Sequence, residues 1–275
     1  MSIATIIITY HPDKELLQNN IEAIHNYVDK ILIWQNSDDD LSDIIAKYSG
    51  IKLIGDKTNH FIAKPLNQAL QWCRENGYDY LLTMDQDSVW EDFAGFISET
   101  NRFNNNPDIG IFAPNTNNFI PDKSIPFIDK EWVIQSGMLL NLHALNELGG
   151  FREEYQIYGV DEEFCYWVNL HHKKVRVMTR FNLQQKYGNA QKTIWGFTVY
   201  NYSPIVRYFL IRNMIWMKRE FPKSTTTRRI CSVIVHNYRD IILAEKNKFA
   251  KLTKFTLGIF HGIFRKITTR QPINP

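Results

Sequence analysis

Residues 78–88 read YDYLLTMDQDS. The run Tyr80-Leu81-Leu82-Thr83-Met84 is a short apolar strand that leads straight into Asp85 and Asp87, separated by one residue. Strand side chains alternate between faces, so the spacing predicts two carboxylates pointing the same way at the strand's end. Two like charges held that close raise each other's pKa unless a cation sits between them. A hard divalent ion, Mg2+ or Mn2+, suits such oxygens and completes its shell with water and substrate phosphates. The same letters also suit an Asp-rich turn in which Asp87 or Ser88 caps the next helix. The rest of the chain has to decide between them.

Upstream, Ile3–Thr9 (IATIIIT) is a continuous β-branched run, the pattern of a strand buried on both faces in a parallel sheet. Pro12 then opens a helical pattern (Leu16, Leu17, Ile21, Ile24, Val28). Lys30–Trp34 and Ile51–Ile54 read as strands, with helices over Leu41–Tyr48 and Ala63–Glu75. Strand and helix alternating from the start predict an α/β, doubly wound, mostly parallel sheet, in which ligands sit beyond the carboxyl ends of the strands. Those ends carry Thr9-Tyr10-His11, Gln35-Asn36-Ser37 and Asp85-Gln86-Asp87. Three polar clusters at three strand ends favour a site over a chance turn.

Downstream the rhythm changes. A helix is expected over Phe93–Phe103, a strand over Ile109–Ala113 and a polar loop over Pro114–Lys130. Trp132–Asn141 reads as a strand interrupted at Ser136-Gly137, where backbone approaches a ligand. A short helix is expected over His143–Leu148, and Asp161-Glu162-Glu163 open an aromatic helix.

Composition narrows the class. The chain has 275 residues, 44% of them hydrophobic, enough for one α/β domain with a helical extension. Its 3 cysteines (Cys73, Cys165, Cys231) form no C-x-x-C pair, so neither a disulfide framework nor a zinc site is expected, and a reducing, cytoplasmic setting is. No run approaches the roughly 18 apolar residues of a membrane span, and no signal peptide is evident. Residues 218–275 hold 13 Lys and Arg against 3 Asp and Glu, whereas residues 1–217 hold 19 against 26. In the basic tail Phe249, Leu252, Phe255, Ile259 and Ile263 recur at spacings of three and four, one apolar stripe of a helix that packs on the catalytic domain, rests on an anionic membrane surface, or both; nucleic acid is not expected.

The ordered series TYHP, QNS, NHFIAKPLNQAL, LLTMDQDS, SGMLLN, LGGFREE and VDEEFCYW resembles the inverting family-2 glycosyltransferases. DQDS with SPIVRYFLIRNMIW (Ser203–Trp216) is most similar to the bacterial rhamnosyltransferase branch that builds surface polysaccharides. The resemblance implies a GT-A type nucleotide-sugar-binding fold in residues 1–216, followed by a basic amphipathic tail in 217–275. Thr9 and Tyr10 match the segment that holds the nucleotide base, and Asn36-Ser37 the turn beside it, with Gln35 where the family usually has an acid. Asn67 matches an Asn facing the nucleotide. Asp85 and Asp87 match the Mg2+ or Mn2+ motif, Asp87 as the direct ligand and Asp85 nearer the ribose. Asp161 matches the general base. A third ligand, often His, falls at Gln185 of QKYG. Arg212 is a candidate for the diphosphate. The implied donor is a nucleoside-diphosphate sugar, dTDP-L-rhamnose first and a UDP-hexose or UDP-galactofuranose second. The expected acceptor is a polyprenyl-diphosphate-linked saccharide, which the protein would meet peripherally at the inner face of the cell membrane.

The chemistry agrees on its own terms. Displacing a nucleoside diphosphate from an anomeric carbon needs positive charge at the leaving phosphate and a base for the acceptor hydroxyl on the opposite face. That geometry inverts the anomeric centre. A nucleotide-binding module with a degenerate site stays open, given Gln35 and Gln185. A metal-dependent phosphate hydrolase needs further ligands that the sequence does not cluster, and no G-x-G-x-x-G follows the first strand for a dehydrogenase.

Overall fold

The computed structural model describes residues 1–103, 106–185, 191–194, 196–268 and 270. The chain divides into two compact units: Met1–Glu153 with the return from Val160 to the end of the sheet, and Glu154–Gly159 with the helical C-terminal part.

The first unit opens as its sequence predicts. In order come β1 (Ile3–Thr9), α1 (Lys14–Ile24), β2 (Lys30–Gln35), α2 (Ser42–Lys47), β3 (Ile51–Ile54), α3 (Ala63–Glu75) and β4 (Tyr80–Asp85). All seven residues of β1 are buried, because β2 and β4 pair with it in parallel on either side and both faces are covered. Asp13 caps α1 by accepting from the amides of Glu15 and Leu16, and Leu17, Ile21 and Ile24 bury its inner stripe. Each fully buried Ile or Leu of this kind contributes about 1.5–3 kcal/mol.

There follow β5 (Val89–Trp90), α4 (Phe93–Asn101), β6 (Ile109–Thr116), β7 (Phe127–Lys130), β8 (Met138–Asn141), α5 (Val160–Leu170) and β9 (Lys174–Gln184). The nine-stranded sheet has the order β3-β2-β1-β4-β8-β6-β9-β5, with β7 on β9. It is parallel through β3-β2-β1-β4 and turns mixed where β8 pairs antiparallel with β4. The winding reverses at β1, with β2 and β3 on one side and β4 on the other. In the register, Ile8 stands beside Asp85 and Thr9 beside Gln35, so the three carboxyl ends are level.

Three expectations for this unit are corrected. His143–Leu148 forms turns, not a helix, with Asn141 Oδ1 accepting from the amide of Ala144 where they begin. Residues 132–137 are not a strand. The amide of Gln135 goes to Asp161, and Gly137 takes a φ of +87° where a Cβ would lie 2.8 Å from Pro114 Cγ. The loop expected over Pro114–Lys130 is bracketed by strand at both ends, β6 reaching Thr116 and β7 starting at Phe127.

The second unit holds the hairpin β10 (Gln191–Lys192) with β11 (Thr198–Val199) and the helices α6 (Pro204–Glu220), α7 (Thr227–Leu243) and α8 (Lys248–Phe264). α6 therefore runs through the 216/217 boundary read from the sequence. Leu210, Ile211, Ile215, Ile230, Ile241 and Phe255 form its core. Within it Glu245 is buried and pairs with both Arg207 and Lys251, Lys251 at 3.0 Å. The tail follows the predicted stripe of Phe249, Leu252, Phe255, Ile259 and Ile263 only in part: Phe255 is buried, and Leu252 and Ile259 pack partly buried against the core. Lys251, Phe255, Gly258 and Gly262 face inward, while Phe249 and Ile263 are 85% and 49% exposed. A Cβ on Gly258 would lie 2.6 Å from the Tyr208 carbonyl, and one on Gly262 2.9 Å from Ile215 Cβ. Close approach of α6 thus selects the glycine face.

Candidate active site

Asp85 is the last residue of β4, and the strand is pinned there from three sides. Its amide donates to Ser136 Oγ at 3.0 Å, its carbonyl accepts from Asn20 Nδ2 at 2.7 Å, and Ser136 shares a 2.6 Å hydrogen bond with buried Ser88. Asp87 lies beyond the strand, in a turn. Strand alternation therefore does not aim it, yet its charge acts on Asp85. The capping alternative also fails: Asp92, not Asp87 or Ser88, accepts from the amide of Gly95 at the start of α4.

Asp161, in the first turn of α5, is brought to the same place by the segment after residue 134. Gln135 N donates to Asp161 Oδ2 at 3.1 Å, while Thr83 Oγ1 of β4 donates to the Gln135 carbonyl. Gln135-Ser136 thus ties the carboxylate on α5 to the carboxylate on β4. The sequence marks Ser136-Gly137 as an interruption but carries no signal for Gln135.

The electrostatics follow from this crowding. Removal from water, then the charges of Asp87 and Asp161, push the Asp85 carboxyl up to about 7. Burial also raises Asp161, opposed by the amides of Glu162 and Gln135 that hydrogen-bond its carboxylate. Gln185, just past β9, donates through Nε2 to Asp85. Gln185 Oε1 and Gln135 Nε2 are buried without a partner among the described residues. The rest of QKYG (186–188) lies outside the described residues. Beside Asp87 opens a cleft of about 330 Å³ lined by the carboxamides of Asn117, Asn118, Asn182, Gln184 and Gln185. Such groups both donate and accept, and none carries charge.

The other strand ends are built as firmly. Gln86 clasps Tyr10, accepting from its amide at 2.7 Å and donating to its carbonyl at 3.2 Å, and leaves the Tyr10 ring 50% exposed. Thr9 Oγ1 is turned inward to the Trp34 carbonyl. Asn36 accepts from Trp34 Nε1 and the His60 amide and donates to the Phe61 carbonyl, which shapes the loop opposite β2. Ser37 Oγ accepts from the His11 amide. Asn67 brackets Phe151, accepting from its amide at 2.7 Å and donating to its carbonyl at 2.8 Å. Arg212 belongs to the second unit. There it donates to the Glu154 carbonyl and Asn213 Oδ1 and lies 4.2 Å from the Trp216 ring centroid, 3% exposed.

Among the described residues no group of three or more His, Cys, Asp and Glu could hold a metal alone. The polar side chains near one another at this strand end are Asp85, Asp87 and Gln185, whose Nε2 donates to Asp85 and whose Oε1 is buried without a partner among the described residues. That donor set fits a hard divalent ion sharing its shell with a phosphorylated ligand and does not fit a closed structural site.

Comparisons with known proteins bear on this arrangement. The family model Glycosyl transferase family 2 matches residues 5–102. The chain is 23% identical over 286 residues to the dTDP-rhamnosyl transferase RfbF of Shigella flexneri, with 95% of each chain covered. Its fold resembles a crystal structure of GalNAc-T7 with UDP, GalNAc and Mn2+, with a TM-score of 0.61 at 9% identity; 94% of this chain is covered and it spans 56% of that one. S. aureus TarS 1–349 in complex with UDP-GlcNAc gives 0.55 at 15% identity, covering 96% of this chain and 82% of that one. At these identities the two structures speak for the fold. Residues 5–102 therefore match the glycosyl transferase family 2 model, and they lie within a chain of GT-A-like fold.

Proposed function

We propose that the protein is an inverting glycosyltransferase that moves L-rhamnose from dTDP-L-rhamnose onto a lipid-linked saccharide of a growing bacterial surface polysaccharide. The observation that carries the proposal is the joining of two carboxylate positions by one segment. Asp85 and Asp87 stand at the end of β4, and Asp161 is tied to that end through Gln135-Ser136. One position suits the leaving diphosphate and the other the attacking hydroxyl.

Asp85 and Asp87, with Gln185 Oε1 beside them, would hold Mg2+ or Mn2+. A bound divalent ion supplies positive charge against the departing nucleoside diphosphate. Asp161 takes the proton of the acceptor hydroxyl. Burial raises its pKa and makes it a stronger base than a free aspartate, while the amides of Gln135 and Glu162 fix its oxygens and oppose that rise. The exposed ring of Tyr10 offers a stacking surface for the base, with Thr9, Asn36 and Ser37 holding the strand ends around it. Asn67 keeps the chain at Phe151 in place. The carboxamide-rich cleft, lined by Asp87 as well, suits hydroxyl-rich sugar. Arg212, a candidate for the diphosphate by sequence, serves here by holding the Glu154 carbonyl.

Similarity to RfbF supports the rhamnosyl donor. A UDP-sugar donor is the second reading, supported by the UDP-GlcNAc bound to TarS. Incubation with a panel of nucleotide sugars, divalent cation and saccharide acceptors separates them by release of nucleoside diphosphate. Release from dTDP-L-rhamnose alone supports the first reading and release from a UDP-sugar the second. An inert panel removes the enzymatic proposal.

A further inference from the structure

α8 is apolar on two sides, and only one of them is used. Lys251, Phe255, Gly258 and Gly262 are buried against the rest of the second unit. At about 100° per residue, the opposite side carries Phe249, Leu257, Phe260, Ile263 and Phe264. These are 85%, 37%, 57%, 49% and 69% exposed. A surface helix normally sets charged residues there. Ile242 and Leu243, 52% and 46% exposed at the end of α7, adjoin the start of the patch, where Lys248 Nζ donates to the Ile242 carbonyl.

The charge along the chain that carries this patch is mostly positive. Eight exposed Lys and Arg lie between Lys223 and Lys266, among them Lys246, Lys248, Lys254 and Arg265. The only two acids in residues 221–270 are already engaged, Asp240 with Arg239 and buried Glu245 with Arg207 and Lys251. A second copy laid on this face would bring like charges together, so self-association is the poorer occupant. α8 has 17 residues, and no helix among those described is long and apolar enough to cross a membrane. Exposed Phe, Leu and Ile on a cation-rich stretch fit the boundary between headgroups and acyl chains, with the helix lying in the plane of the surface.

We infer that the outer face of α8 is a docking surface for an anionic lipid bilayer, with Phe249, Phe260 and Phe264 as the inserted side chains. The inference deepens the lipid-linked acceptor proposed above but stands on the surface of the second unit. Its test contains no sugar nucleotide, so it and the donor reading can fail separately.

Full-length protein is sedimented with vesicles of phosphatidylcholine alone or with about 30% phosphatidylglycerol. Binding is expected to the anionic vesicles at low salt and to fall as the Debye length shrinks from about 10 Å at 0.1 M to 3 Å at 1 M. The double variant Phe260→Ala, Phe264→Ala changes only exposed side chains, so its circular dichroism and melting should match the parent. Its partition should drop about tenfold or more. Absence of binding to anionic vesicles at low salt, or equal partition of the folded variant, overturns the inference. A dimer in solution that the double variant abolishes assigns the face to a second copy and overturns it too.

Discussion

Replacing Asp85 by Asn removes the carboxyl most affected by the crowding at the end of β4, and the structure sets the sign and size of the effect. Burial with Asp87 and Asp161 raises this carboxyl from 3.8 to about 7. The folded protein therefore binds a proton that the unfolded chain releases near pH 4, so stability falls as pH rises from about 4 and levels off above about 7. The full difference corresponds to about 4 kcal/mol at 1.36 kcal/mol per pH unit. Asp85 sits at an open strand end and is half-buried, so about 2 kcal/mol is the expected share. Asp85→Asn should accordingly match the parent near pH 4, exceed it increasingly up to about pH 7 and hold that margin to pH 8. For a chain of this size, about 2 kcal/mol is some 4–8 °C in Tm. Melting of both proteins in chelator across pH 4–8 measures this, and groups that titrate alike in both cancel in the difference. A difference that stays flat across the range refutes the shared carboxylate site.

Asp161→Asn should lower kcat about 100-fold or more while leaving the donor Kd nearly unchanged, read by turnover and by calorimetry with the nucleotide sugar. An equal loss of donor affinity would make Asp161 structural. Asp87→Ala should remove the divalent-ion dependence of nucleoside diphosphate binding, measured by titration with and without Mn2+. Lys251→Ala removes one of the two cations on buried Glu245, Arg207 remaining, and should cost about 1.5–3 kcal/mol in denaturant unfolding. A cost below about 1 kcal/mol would place Lys251 in water. Gly258→Val puts a branched side chain where even a Cβ lies 2.6 Å from the Tyr208 carbonyl, and loss of the helical signal at ordinary temperatures is expected.

Much of the first half is legible because buried parallel strands have few alternatives. Ile3–Thr9 and Ala63–Glu75 begin and end where their patterns do. The alternation rule put Asp85 and Asp87 on one face, whereas the strand stops at Asp85 and a turn places Asp87. Sequence places Asn36 and Asn67 at the pocket but says nothing of their carboxamides, which are taken up by backbone groups far along the chain. The Gln135 link to Asp161 and the Gln185 contact with Asp85 span 26 and 100 residues, beyond any local pattern. The tail misled in part, for a different reason. Its periodicity admits two apolar faces, and the buried one is chosen by two glycines and a lysine that pairs with Glu245.

The most direct measurement is proton NMR of the protein mixed with dTDP-L-rhamnose, Mn2+ and a saccharide acceptor, followed at the anomeric proton. Nucleoside diphosphate and a glycoside of inverted configuration should appear together, and both should vanish with Asp161→Asn. A retained anomeric centre, or a donor consumed equally well by the Asp161→Asn variant, would contradict a base held at Asp161 opposite the leaving diphosphate.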